Sequence, residues 1–341
     1  MVKQTTLHDV AAHCGVSYQT VSRVINGKGR VTEETRRRVL LSARELGYRP
    51  NALARSLVAG RSRTIGVVTT ELYRFAPSRF ATGIQQRCQE LGYLLLMCWL
   101  GAPDDPAQYL DKLAARQVDA IIWMAPEMVD GMGWASSDAL TGLPPVVFCD
   151  VRPNPGLHVV CTDNRQAAAN ATRHLLERQR DPVGMITGPL ERIIASDRLA
   201  GWEDAMREAG LDPDPTLVAV GDWSSASGEA ALRELLHRRP DLGAVLASND
   251  RMALGALHAA FDAGKRVPDE LMIAGIDNIP EAAYFIPPLT TVQQPLGEMG
   301  RAAVDLALKL AEARWSGSSE PSETTLVLPS ELVVRASSTR I

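Results

Sequence analysis

Apolar residues recur at helical spacing through the first fifty residues. Leu7, Val10 and Ala11 form one stripe and predict a helix over about Leu7–His13. Thr6, with Asp9 three residues on, has the form of a capping box. Gly15 and Val16 make a tight turn. Val21, Val24 and Ile25 then mark one face of a second helix within SYQTVSRVIN, capped by Ser17 and ended by Asn26, Gly27 and Gly29. Thr32 caps a third helix, with Glu33 and Glu34 in the first turn where the helix dipole favours acids. Val39, Leu40, Ala43 and Leu46 are its expected core stripe, and Gly47 closes it. Two short helices joined by a glycine turn, with a third in support, follow a helix-turn-helix plan.

From Thr64 the rhythm changes. TIGVVTT, LLLMCWL, DAIIWMAP and PPVVFCD are strand-like runs, separated by amphipathic stretches over about 77–91 and 105–116. A second set follows: helix 164–178, strand VGMITGP, helix 196–209, strand TLVAVGD, helix 225–238, strand AVLASND, helix 251–263 and strand MIAGID. Strands alternating with helices of this length predict βαβ units and parallel sheets. Two sets predict two α/β lobes, with ligand sites beyond the carboxyl ends of the strands.

Charge sharpens this division. Residues 1–63 hold 12 Lys and Arg against 4 Asp and Glu, while the whole chain has net charge −4. A small basic segment therefore precedes an acidic body, and such segments serve as electrostatic footprints on nucleic acid. On the second helix the polar face carries Tyr18, Gln19, Ser22, Arg23 and Asn26 instead of the Glu and Lys of an ordinary surface helix. Gln can bond adenine, Arg can bond guanine, and Ser, Tyr and Asn reach bases or phosphates. The plainer alternative is a polar surface helix of no special role. Residues 49–63, RPNALARSLVAGRSR, offer a helix capped by Asn51 that is too short to stand alone in water. They read either as a flexible linker or as a segment that orders on DNA and wedges an apolar side chain into the minor groove.

In the body, polar residues collect at strand ends. Asp150 closes PPVVFCD, Asn249 and Asp250 close AVLASND, and Asp277 closes MIAGID. Trp223 follows TLVAVGD, and Arg198 lies in the helix after MITGP. Carboxylates, amides and an indole face suit a carbohydrate, although Asp and Asn at such turns are also ordinary helix caps. The coincidence of several favours a site.

TLHDVAAHCGVSYQTVSRVING and LGYRPNALARSL resemble the DNA-binding and hinge signature of the LacI/GalR family of transcription regulators. SDRLAGW, GDWSSASG, ASNDRMALGAL and IPPLTTVQQP extend the match over nearly the whole chain and lie nearer the lac-type branch than the purine or ribose branches. The resemblance implies an α plus α/β protein. A helix-turn-helix headpiece (1–48) and hinge helix (49–63) precede a two-lobed core like periplasmic sugar-binding proteins, built of parallel sheets. Lobe one is expected to hold about 64–162 and 293–324, and lobe two about 163–292 and 325–336. Tyr18, Gln19, Ser22, Arg23 and Asn26 would meet operator DNA. Thr6, Ser17, Asn51 and Ala54 would hold its backbone, and Leu57 would be the minor-groove lever. Ala76, Pro77, Asp150, Arg198, Trp223, Asn249, Asp277 and Gln294 match positions of a sugar pocket. Arg74 and Ile194 depart from the lac-type pattern, which has leucine and serine there, and Arg74 joins the expected ligand set.

These features imply a repressor that a small sugar, galactoside-like, releases from a pseudo-palindromic operator. A corepressor-dependent regulator is the alternative within the family. The chain ends in VVRASSTRI without a leucine-heptad tail, so a homodimer is expected. No cofactor or metal is implied. An enzyme reading finds no G-x-x-x-x-G-K-[ST], G-x-S-x-G or H-E-x-x-H. The absence of a signal-peptide core and of C-x-x-C pairs among five scattered cysteines points to a cytoplasmic protein with no membrane segment.

Overall fold

The computed structural model describes residues 5–27, 29–49, 60–101, 105–125, 133–178, 182–319 and 321–339. It divides into two compact units, Met1–Ser62 and Arg63–Ile341.

The first unit holds α1 (Leu7–Cys14), α2 (Tyr18–Ile25) and α3 (Glu33–Glu45). The Thr6 side chain accepts from the Asp9 N–H while Asp9 accepts from the Thr6 N–H, completing the expected capping box. Ser17 and Thr32 cap α2 and α3 by accepting from the N–H of Thr20 and of Thr35. Gly15 takes φ 65° at the end of α1, a left-handed conformation that opens the tight turn. Val10, Val21 and Val39 are wholly buried and centre the small core. Leu40 is a correction: it is 49% exposed. Val39, Ala43 and Leu46 already form the inward line of α3, and Leu40 lies a further 100° or so round the helix. Asn51, Ala54 and Leu57 of the expected hinge fall outside the described residues.

The second unit contains two six-stranded sheets. The first has the order β11-β5-β4-β3-β1-β2, with β1 Thr64–Thr69, β2 Leu94–Trp99, β3 Ala120–Met124, β4 Val146–Cys149, β5 His158–Thr162 and β11 Thr324–Leu328. The second has the order β12-β10-β9-β8-β6-β7. Its strands are β6 Val183–Thr187, β7 Val218–Val220, β8 Ala244–Ala247, β9 Met272–Asp277, β10 Thr290–Gln293 and β12 Glu331–Val333. Among the described residues every pairing is parallel except β10 with β12. Around the first sheet lie α4 (Phe75–Glu90), α5 (Pro106–Ala114), the single turn α6 (Ser137–Leu140) and α11 (Leu296–Ser316). Around the second lie α7 (Asn164–Arg178), α8 (Ile193–Glu208), α9 (Ser225–Arg238) and α10 (Asp250–Asp262).

Helices pack in pairs at glycine contacts. A Cβ on Gly83 would stand 2.1 Å from the Gly297 carbonyl oxygen, and one on Gly255 would stand 1.8 Å from that of Ser225. Only bare backbone lets α4 approach α11, and α10 approach α9, this closely. One large core fills the second lobe, and two clusters cover the faces of the first sheet.

The chain passes between lobes at three places: after Thr162, after Gln293 and after Leu328. The last differs from the expected return near 324. Val327 pairs in register with Cys161, which keeps β11 on the first sheet to its end. Two helices start earlier than expected. α4 begins at Phe75, two residues before Pro77, because proline is tolerated in a first turn whose N–H groups lack partners. α8 begins at Ile193.

Candidate functional site

Between the lobes lies a cavity of about 110 Å³. All nine expected ligand residues line it: Arg74, Ala76, Pro77, Asp150, Arg198, Trp223, Asn249, Asp277 and Gln294. They come from the first turn of α4, the ends of β4, β8 and β9, the loop after β7, α8, and the crossing after β10.

Arg198 sits at the floor, 4% exposed. Its Nε donates to Asn164 Oδ1 at 2.9 Å, and its Nη1 donates to the Ser248 carbonyl. Asp277 Oδ1 is 3.9 Å from its Nη2, and the Trp223 ring centre lies 5.9 Å from Cζ. Burial lowers the Arg198 pKa while Asp277 and Asp150 oppose that shift. An arginine keeps its charge regardless, so a fixed cation stands under the cavity. Burial also raises both carboxyls against the pull of Arg198: Asp150 upward, Asp277 to about 6.

Asn164, the first residue of α7, joins these groups. It accepts from Arg198 and from Gln294 Nε2 (3.0 Å), and donates to Asp150 Oδ1 (3.3 Å). Asn164 and Gln294 stand on two different interlobe crossings, so one hydrogen bond couples both passages. From the sequence alone Asn164 is legible only as the start of a helix. Asn249 is both a cap and a cavity residue: its Oδ1 accepts from the Met252 N–H and its Nδ2 donates to the Trp223 carbonyl. Asp250, also noted at a strand end, is wholly buried and accepts from the Ile279 N–H and the Thr291 hydroxyl, which makes it a structural residue.

Seven non-glycine residues among those described have positive φ, and four of them line the cavity: Glu71 (22°), Asp150 (56°), Trp223 (74°) and Asp277 (122°). Each costs on the order of 1–3 kcal/mol, and such residues cluster at ligand sites. Trp223 holds its pose because residue 188 is glycine; a Cβ there would lie 2.2 Å from the indole. At the rim, Glu71 pairs with Arg74 at 3.0 Å and approaches Arg192 of the other lobe at 3.9 Å. Arg74 also donates to the Asp222 carbonyl across the cleft. Arg74 is therefore tied to protein groups at the cleft mouth. Ile194, a departure from the lac-type pattern already noted in the sequence, also lines the cavity, and Glu71, Phe75, Arg192 and Arg251, which the sequence does not mark as ligand residues, complete the lining.

In the first unit, Tyr18, Gln19, Arg23 and Asn26 are exposed on α2 and Ser22 is half-buried. Tyr18 stacks on His8 at 4.6 Å, and Asn26 donates to the Ser22 hydroxyl. Thr6 and Ser17 are spent as helix caps.

Residues 6–51 match the family model of bacterial regulatory proteins, lacI family, and residues 172–338 match a periplasmic binding protein-like domain. The transcriptional repressor PurR of Aliivibrio salmonicida is 34% identical over 305 residues, covering 89% of this chain and 91% of that protein. The transcriptional regulator CelR of Thermobifida fusca is 34% identical, covering 98% of both. The chain belongs to the lacI family of bacterial regulatory proteins. Among solved structures, a lac repressor dimer bound to operator and the anti-inducer ONPF superposes with a TM-score of 0.87 at 31% identity, covering 99% of this chain and all of that one. A CelR–cellobiose complex superposes at 0.72 and 32%, covering 98% of this chain and all of that one. As a lacI-family member, this protein is a DNA-binding transcriptional repressor and not an enzyme. No helix among the described residues is long and apolar enough to cross a membrane.

Proposed function

We propose that the protein is a homodimeric, cytoplasmic repressor of a sugar-utilisation operon, released from its operator by a small galactoside-like sugar bound between the lobes. Residues 1–48 read the operator half-site, residues 49–63 form the hinge, and the remainder forms the effector core. The observation that carries the effector reading is Arg198, a buried cation held by Asn164 and Ser248 between two carboxylates and an indole face. Fixed acceptors and donors of both kinds suit the several hydroxyls of a sugar, and the indole suits its apolar face.

Inducer binding and operator binding oppose each other by one reciprocal factor. Moving the protein from mostly bound to mostly free requires the sugar to favour the released state by about 5.5 kcal/mol. The deciding experiment is operator binding by fluorescence anisotropy, titrated with galactose, glucose and their glycosides. The reading expects a sugar that weakens operator binding at least about tenfold. A sugar that tightens it makes the protein corepressor-dependent, and no response to any sugar removes the sugar reading.

A further inference from the structure

A second cavity of about 450 Å³ opens beside the Arg198 cavity and shares Asp150 and Ile194 with it. The loop after β4, the crossing between β5 and α7, and the start of α8 enclose it. The Arg198 cavity, at about 110 Å³, is well below the roughly 300–1,000 Å³ of a typical ligand pocket. Of these two adjoining spaces, the larger lies on the far side of Asp150.

The chemistry of that space is one-sided. Its two arginines are engaged: Arg152 donates to Asp197 Oδ1 across the cleft, and Arg165 donates to both oxygens of Asp204. Its carboxylates keep open acceptors. Asp150 is met only at Oδ1 by Asn164, Asp163 only at Oδ1 by the Gln166 N–H, and Asp197 only at Oδ1 by Arg152. Three second carboxylate oxygens thus lack a hydrogen-bond donor among the described residues. Among the described residues an anion would meet three acceptors and no unengaged cation. Among the described residues no aromatic ring lines this cavity, so a planar base finds none of them to stack on. Hydroxyl groups fit, because each supplies a donor to a carboxylate oxygen.

We propose that the effector is a neutral oligosaccharide of at least two units, with one ring over Arg198 and Trp223 and the next in the Asp163–Asp197 cavity. This rests on the sugar reading above and adds the size and charge of the ligand. Junction residue Ile194 borders both spaces.

The test uses the full-length protein and calorimetric titration with galactose, glucose, lactose, melibiose, cellobiose and maltose. At least one disaccharide should bind tenfold or more tightly than either of its component monosaccharides. Val327 is 54% exposed, lines only the second cavity and sits on an edge strand. V327W should fill the second cavity, cut disaccharide affinity at least tenfold and leave monosaccharide and operator affinity unchanged. D163N keeps the helix-capping oxygen and should lower disaccharide affinity several-fold, again without changing monosaccharide affinity. If a monosaccharide binds as tightly as every disaccharide and V327W changes nothing, the second subsite is overturned while the sugar reading stands. If none of the six binds, both fall.

Discussion

Tyr18, Gln19, Arg23 and Asn26 stand in solvent on α2, whereas Arg198, Asn249, Asp277 and Gln294 in the cleft are each less than a tenth exposed. The polar residues of the two regions are similar in kind, and their states are opposite. On α2 Arg23 has no acidic partner among the described residues, and its neighbours bond only within the helix or stack on His8. In the cleft Arg198, Asn164, Asn249 and Gln294 are already bonded within the protein, often to a residue more than thirty positions away. A duplex is a large, hydrated, charged surface, so groups that meet it can wait in water and reach out through long side chains. A small ligand offers few contacts, so its site must be ordered beforehand, because ordering it on binding would consume the affinity.

The largest test of this contrast removes the most pre-bonded group. Arg198→Ala leaves Asp277, Asp150 and the Asn164 oxygen without their buried cation. The loss should be about 3–5 kcal/mol in core stability, read as a fall in melting temperature. Effector affinity should fall by about a hundredfold or more, since hydrogen bonds to charged groups are worth about 1.5–3 kcal/mol each. Operator affinity without effector should survive at a temperature where the variant is folded. A variant that still leaves operator at normal effector concentration would show that the cleft residues are only scaffolding.

A smaller and differently shaped effect is expected on α2. Gln19→Ala removes an exposed group with nothing buried behind it, so stability should stay within about 0.5 kcal/mol. The change should appear as relaxed preference at one base pair, worth about 1–3 kcal/mol, in binding to a panel of single-substituted operators. Uniform weakening across that panel would mean that Gln19 meets phosphate, and would blur the contrast.

The same contrast explains what could be read from the sequence. The headpiece was legible because its signals are local: caps, a glycine turn, a 3.6-residue stripe and an unusual outer face all lie within forty residues. Leu40 escaped because periodicity gives a face only to within a residue. The alternation of strands and helices was legible up to β9, but β5, β10, β11, β12 and α11 were not read from pattern. Those elements adjoin the lobe crossings, and what assigns them to a sheet is pairing with distant strands, as Val327 pairs with Cys161. In the cleft, carboxylates and amides at strand ends were visible as types. Their organiser, Asn164, was not, since Arg198 and Gln294 come to it from 34 and 130 positions away. The Glu71–Arg192 approach across the rim is hidden for the same reason.

The smallest expected effect follows from Asp277, where burial raises the pKa from 3.8 to about 6 against the opposing charge of Arg198. Below pH 6 the native carboxyl holds a proton, and above it the carboxylate is free to accept hydroxyl hydrogen bonds with charge-assisted strength. Effector affinity should therefore rise between pH 5 and pH 7, by about tenfold at most, and Asp277→Asn should flatten that rise. Stability moves in the other direction. The folded state holds this proton more tightly than the unfolded chain does, so the group's stabilising contribution is full below pH 3.8 and is lost as pH rises through 6. Melting temperature and effector affinity measured over the same range should thus diverge in the native protein. An affinity profile that stays level from pH 5 to pH 7 would place Asp277 outside the set of groups that meet the ligand.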